Sequence, residues 1–374
     1  MNSSKILIIS YGKWFNAVAG YALQVAISLQ ADGWDVTVMV KKGGPLENRL
    51  RQHGLRYVAE IDFKAQNLFK IVQNYLKFRS LLKEYSFDTC FLMTSEPAVH
   101  LALARSSSPN LKIIRFRGDA QLPKQHFINR WLYSSKVVDA LLFPSLKVKM
   151  NFISQLSTDA PEFVLPYFAN PAAENKTGKR NEILTRLGIP TDKTVFCLLG
   201  RNQRIKGHLH LLEALKIRSF NDVHLLFLVK DLDEFPDILE EIQSFIKSNN
   251  LIEKVTLLGH VENLSEVISA IDCGIVPSLG SEVICRVTVE FFMFSVPVIA
   301  YPVGALDEAI KDGYNGFVAE KVTPNYLAAS MEKFLQLSGE ELTSMRSHAY
   351  LSYQENYSAN SFLKGFKDVI KKIK

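Results

Sequence analysis

Cysteine is scarce in this chain: four residues in 374, and no CxxC pair among them. Cys90, Cys197 and Cys273 sit inside apolar, strand-like runs and read, with Cys285, as reduced small hydrophobes. The eight histidines do not cluster with them, so neither a disulfide scaffold nor a zinc site is expected. Long apolar runs are lacking too. No stretch reaches the roughly 18 residues of a membrane span. The opening segment MNSSKILIIS, with one lysine and a short apolar run, reads as a first strand rather than a signal peptide. A cytoplasmic protein is the expectation. No nucleic-acid recognition motif is present and the basic residues are dispersed, which argues against a nucleic-acid partner.

Charge is divided unevenly. Residues 1–170 hold 21 Lys+Arg against 12 Asp+Glu, whereas the rest of the chain is slightly acidic. A basic N-terminal half suits an anionic partner, such as a phosphorylated acceptor or an acidic membrane touched peripherally at its inner face. A solvated surface without a ligand accounts for the same count.

Along the chain, short apolar runs alternate with helical patterns. KILIIS, DVTVMV, DTCFLM, LKIIRFRG and VDALLFPS read as strands in the first half. VFCLLG, VHLLFLV, VTLLG, CGIVPS, PVIAYP and GFVA do so in the second. Near-continuous apolar strands separated by helices predict parallel sheets covered on both faces. The stretch 163–194 carries prolines at 166, 171 and 190 around a polar middle, a linker signature. The expected fold class is α/β, with two Rossmann-like, doubly wound domains over 1–170 and 171–357. A helix over 358–374 can return to the first. Ligands of such sheets bind at the carboxyl ends of the strands, which places the expected site in the cleft where two sheets face each other.

Strand ends in the second half hold the notable chemistry. In LLGRNQRIKGH a strand ends at Gly200, Arg201 and Lys206 follow, and Gly207 precedes a helix. An Arg fork, a Lys point charge and a helix N-terminus together suit a diphosphate. In GSEVICRVTVEFF, Glu282 lies just before or at the start of an expected helix and Glu290 eight residues on, on the order of 12 Å apart along the helix axis. That matches the reach from a sugar across a diphosphate to a ribose. A first-turn glutamate plus an unrelated surface one fits the same spacing. YPVGALDEAIKDGYNGFV adds Gly304, Gly313 and Gly316, which serve turns.

Taken together and in order, GRxxxxKG, the E-x7-E element, PVIAYPVG and DGYNGFV resemble the retaining glycosyltransferases of family 4, with the GT-B fold. The resemblance covers most of residues 194–320 and is thinner in the N-terminal half. It implies that Arg201 and Lys206 hold the diphosphate of a nucleotide-sugar donor, a UDP- or GDP-sugar, with no metal or other cofactor required. Glu282 then meets hydroxyls of the transferred sugar and Glu290 those of the ribose, while the backbone amides of Ile284 and Cys285 face the phosphates. Gly12 and Gly20 mark the glycine-rich loop expected after the first strand. Trp14 and Phe15 between them suit either a core or contact with acceptor or lipid. Asp119, at the end of RFRGD, is the candidate for contact with the reacting sugar, or else a turn residue among arginines. With the basic N-terminal half, the expected acceptor is an anionic, membrane-associated glycan or glycolipid, as in synthesis of a cell-surface polysaccharide or lipopolysaccharide. Cys285 stands where the family often has glycine, a residue whose backbone freedom Cys lacks. KDLDEF replaces the usual glycine-rich turn near the nucleobase.

Other functions share these features. Asp231 to Asp233 form a DxD that could hold a divalent cation in a metal-dependent transferase, or cap the helix starting near Glu234. A sugar-nucleotide epimerase or phosphorylase, or a non-catalytic nucleotide-sugar binding protein, could keep the same architecture.

Overall fold

The computed structural model describes residues 4–170 and 179–373 apart from positions 66, 120, 219 and 281, and only the backbone of Asp233. The polar middle of the proline-bearing stretch, with Pro171, lies outside those residues. The described chain divides into two compact units, 1–168 with 359–374, and 169–358.

Unit 1 is built on seven parallel strands: β1 Lys5–Ser10, β2 Asp35–Val40, β3 Arg56–Val58, β4 Thr89–Leu92, β5 Lys112–Phe116, β6 Ala140–Phe143 and β7 Glu162–Val164. Their order is β3-β2-β1-β4-β5-β6-β7. The central strands β1 and β4 are buried along nearly their whole length, as a sheet covered on both faces requires. The edge strands β3 and β7 are three residues each and partly exposed, and neither is marked by the sequence pattern. β7 falls at the boundary of the expected linker: Glu162–Val164 pairs with β6 instead of beginning the connection.

The helix Ala17–Ala31 follows β1, and Asn16 caps it by accepting the Ala19 N–H at 3.0 Å. The helix Ala359–Lys372 belongs to this unit. It buries Phe362, Phe366, Val369 and Ile370. Phe362 stacks on Phe168 at 4.5 Å, and Lys367 pairs with Asp32 at 2.7 Å.

Unit 2 has six parallel strands: β8 Thr194–Arg201, β9 Val223–Lys230, β10 Val255–Leu258, β11 Cys273–Val276, β12 Val298–Ala300 and β13 Gly316–Val318. Their order is β10-β9-β8-β11-β12-β13. The two sheets and their helices make the fold α/β and doubly wound, with two Rossmann-like units.

Both units lock one strand start with an aspartate that the sequence pattern did not single out. Asp272, just before β11, accepts the Val195 N–H at 2.9 Å, Arg180 at 2.7 Å and Arg346 at 2.8 Å. Asp139, just before β6, accepts the Ile113 N–H at 2.7 Å and both ends of the Arg105 fork at 2.9 Å. Each carboxylate bonds an adjacent strand's amide, which helps set where the strands begin, and each is neutralised by arginine.

Candidate functional site

β8 ends at Gly200 and Arg201, at the carboxyl edge of the unit 2 sheet. Asn202 follows, fully buried, and its amide donates to the carbonyls of Leu232 and Phe235 at 2.9 Å each. It thereby fixes the turn after β9. A short turn over Arg204–Lys206 leads to Gly207, and the helix His208–Ile217 begins there with no side-chain cap. Gly207 has φ +74°, and a Cβ on it would lie 2.0 Å from the Pro277 carbonyl oxygen. Only glycine meets both demands. The close approach sets the Lys206 turn against the exit of β11, and the Leu279 N–H bonds the Ile205 carbonyl at 2.8 Å.

That packing brings two charged residues together. Lys206 Nζ donates to Glu282 Oε1 at 2.5 Å, and Ser278 Oγ donates to the same oxygen at 2.6 Å. The Lys206 side chain is 26% exposed and that of Glu282 16%. Glu282 is held from a third side by the turn after β12. There the Ala305 N–H bonds the Glu282 carbonyl at 2.8 Å, and Gly304, φ +62°, runs so close that a Cβ would lie 2.2 Å from that oxygen. Turns from the adjacent strands β8, β11 and β12 thus converge on Glu282.

Glu282 is not on a helix, which corrects the spacing estimate drawn from the sequence. The helix begins at Arg286 and runs to Met293, so only Glu290 is helical. Ser281 lies outside the described residues. Ile284 is in the turn between, and Cys285 sits at the helix N-cap with φ 52° and no side-chain cap bond. Cys285 therefore adopts the left-handed conformation usual for glycine, at a cost of about 1–2 kcal/mol. Its thiol is buried, and burial first, then the charge of Glu282, pushes its pKa up. Glu290 accepts Arg286 Nε at 2.7 Å one turn away. Arg201 is exposed and makes no ion pair among the described residues.

Two residues beside this turn carried no signal recognised in the sequence: Asn202, and His208 at the start of the helix. His208 is buried, its ring nitrogens have no hydrogen-bond partner among the described residues, and it packs edge-on against Phe227 at 5.7 Å. Burial, and secondarily Lys206, pushes its pKa down to about 4, so it is neutral at pH 7. A histidine directly after the GRxxxxKG glycine, on an otherwise apolar helix, was the available clue.

The remaining predicted residues belong to unit 1. Gly12 lies in the turn after β1, but Gly20 is inside the helix Ala17–Ala31, with its N–H bonded to the Asn16 carbonyl at 2.9 Å. It therefore offers no loop amide. Trp14 is 71% exposed and thus not core. Asp119 follows β5 and accepts Arg117 Nη1 at 3.2 Å. In the DxD, Asp231 makes no side-chain cap bond, contrary to the helix-cap expectation, and has φ 58°. The Asp233 side chain lies outside the described residues. No group of three or more His, Cys, Asp or Glu residues able to hold a metal occurs among the described residues. No described helix is long and apolar enough to cross a membrane.

Residues 179–352 match the family model of the group 1 glycosyl transferases. An uncharacterized glycosyltransferase of Methanocaldococcus jannaschii, MJ1178, is 30% identical over 249 residues, 63% of this chain and 66% of its own. D-inositol 3-phosphate glycosyltransferase of Geodermatophilus obscurus is 30% identical over 167 residues, 42% of this chain and 37% of its own. The chain thus spans between about a third and two thirds of these relatives' lengths. Among solved structures, a glycosyltransferase from Rickettsia africae superposes with TM-score 0.88 at 21% identity, covering 100% of this chain and 99% of that one. Anabaena Alr3699/HepE in complex with UDP and glucose gives 0.78 at 18% identity, covering 99% and 100%. Residues 179–352, most of unit 2, thus carry the model of the group 1 glycosyl transferases, and the chain over its whole length has the fold of solved glycosyltransferases.

Proposed function

We propose that this protein is a retaining family 4 enzyme that moves a sugar from a UDP- or GDP-sugar to a glycan or glycolipid acceptor, in the synthesis of a cell-surface polysaccharide or lipopolysaccharide. The Lys206–Glu282 contact beside an uncapped helix start carries this reading. A cation and a carboxylate that hold one another need new partners once parted. A nucleotide sugar supplies both: diphosphate oxygens for Lys206 and sugar hydroxyls for Glu282, which Ser278 keeps in place. Arg201 adds a planar fork to the diphosphate, and the free amides of the helix His208–Ile217 add its dipole. The amides of Ile284 and Cys285 face the same phosphates. Glu290, turned from Arg286, takes the ribose hydroxyls.

In the reaction the bond from the sugar's C1 to the diphosphate oxygen breaks, and positive charge grows on the ring. The matching negative charge grows on the diphosphate, where Lys206, Arg201 and the helix start meet it. The acceptor hydroxyl attacks from the face the diphosphate leaves, and its proton passes to the released phosphate oxygen. Configuration is retained. Unit 1 takes the acceptor, with Asp119 and the Gly12 turn as its candidate contacts. The UDP complexes of the Anabaena structure support a UDP donor. Peripheral contact with an anionic membrane is supported by the helix Leu68–Tyr85, whose Leu68, Phe69, Val72 and Leu76 are exposed among lysines.

Thermal shift with UDP, GDP, ADP and dTDP and their sugars tests the donor. A true donor at 100 times its Kd adds about 2.7 kcal/mol of stability. Lys206→Ala should erase that gain and slow transfer by about 10²–10³-fold, while proton NMR of the wild-type product shows a retained anomeric configuration. Full turnover by a folded Lys206→Ala protein would refute the assignment.

A further inference from the structure

The carboxyl end of β5 holds two buried arginines. Arg115 is 3% exposed and Arg117 6%. The Arg115 guanidinium lies 3.7 Å from the centre of the Tyr133 ring, donates to the Leu132 carbonyl at 3.1 Å and reaches Ser95 Oγ at 3.5 Å. Arg117 donates to Asp119 Oδ2 at 3.2 Å and to the Gln121 carbonyl at 2.6 Å. Its Nε is buried and has no hydrogen-bond partner among the described residues. The rings of Tyr133 and Phe152 stand 5.8 Å from it.

The charges around these arginines do not balance. Two guanidiniums are buried, and Asp119, the carboxylate that contacts Arg117, is 52% exposed. Taking each cation out of water costs several kcal/mol unless an anion compensates. Burial first, with Arg117 adding to it, pushes the Arg115 pKa down to about 10. An apolar residue would serve packing better at either position. The place is also where parallel sheets bind ligands, beyond the carboxyl ends of their strands. Ser95, following β4, adds a hydroxyl.

We propose that Arg115 and Arg117 form an oxyanion subsite of unit 1 that takes a phosphate group carried by the acceptor. Two planar forks present more donors than one carboxylate accepts, and they match a phosphate's several oxygens. Asp119 occupies Arg117 in the free protein and competes with the incoming anion. The role as acceptor subsite rests on the transferase reading; the binding of phosphate does not.

The test uses the full chain and inorganic phosphate, followed by isothermal calorimetry. Lys206→Ala serves as the background, because it removes a donor-side cation that would bind phosphate as well. Phosphate should bind this protein, bind about tenfold more weakly once Arg117→Met is added, and bind severalfold more tightly with Asp119→Asn. The same affinity with and without Arg117→Met, in folded protein, overturns the subsite. Should Arg117→Met fail to fold, Asp119→Asn decides, and no tightening overturns it. Competition by glucose 1-phosphate or by vesicles of an anionic phospholipid assigns the source, soluble or lipid-borne. With Lys206 intact, Arg117→Met should leave the UDP thermal shift as in the wild type. Loss of that shift points to a structural role for Arg117 and counts against the subsite, whereas absence of any UDP shift in the wild type counts against the donor reading alone.

Discussion

Each unit carries a turn from its first strand into the helix that follows it, and the two turns are finished in opposite ways. After β1 the chain runs through Gly12 and Trp14 to Asn16, whose side chain closes the helix by accepting the Ala19 N–H. After β8 it runs through Arg201 and Lys206 to Gly207, and the helix is left without a side-chain cap. A capped start has satisfied its donors and favours the fold. An uncapped start flanked by cations keeps its amides and its dipole for an anion. The same strand–turn–helix therefore serves support in one unit and, in the proposed function, ligand binding in the other.

The largest effect should separate the two glycines. Alanine at Gly207 needs a left-handed residue and puts a Cβ 2.0 Å from the Pro277 oxygen. Gly12 has no such backbone demand, and a Cβ there would sit 3.5 Å from the Trp14 oxygen, ordinary contact. Gly207→Ala should cost about 3 kcal/mol in urea unfolding of unit 2 and displace Lys206, with loss of nucleotide binding. Gly12→Ala should stay within about 0.5 kcal/mol of wild type. Equal losses would show that the two turns are equally constrained.

The strands that fill the middle of each sheet were legible, because burial on both faces demands unbroken apolar runs such as KILIIS and VHLLFLV. β3 and β7 were not, since three partly exposed residues at an edge leave no periodicity to read. Lys206 and Glu282 are 76 residues apart, and the resemblance alone linked them in sequence. The distance from Glu282 to Glu290 was reckoned along a helix axis, whereas the helix starts only at Arg286. The path of Glu282 depends on Gly304 pressing against it, a contact through space that local spacing does not encode. Asn202 and His208 were missed for a similar reason: their importance is burial beside other turns, and their residue types are ordinary for loops. Trp14 could be read either way until its exposure was known.

His208 offers a second, slightly smaller way to tell the helix starts apart. Its folded pKa, about 4, lies below the usual value near 6.5 because burial penalises its charged form. Between those two values the unfolded chain binds more protons, so stability is full above about pH 6.5 and falls as pH drops toward 4. The residue should contribute about 3 kcal/mol of that loss. In urea unfolding followed at pH 7 and pH 4.5, His208→Leu should lose less stability than wild type on acidification. An unchanged pH slope would mean that the ring is not buried uncharged beside Lys206.

The smallest effect concerns the capped turn itself. Asn16→Ala removes the bond to the Ala19 N–H and should cost about 1 kcal/mol in unfolding free energy, the usual value of a lost N-cap. It should leave the UDP thermal shift and the transfer rate unchanged, because the loss lies in the support of unit 1. The two outcomes together sharpen the contrast: the β1 turn registers its mutation in stability, and the β8 turn registers Lys206→Ala in ligand binding. A stability cost near zero for Asn16→Ala would instead mean that water replaces the cap without penalty, and an open helix start would then no longer single out the β8 turn as the one built for an anion.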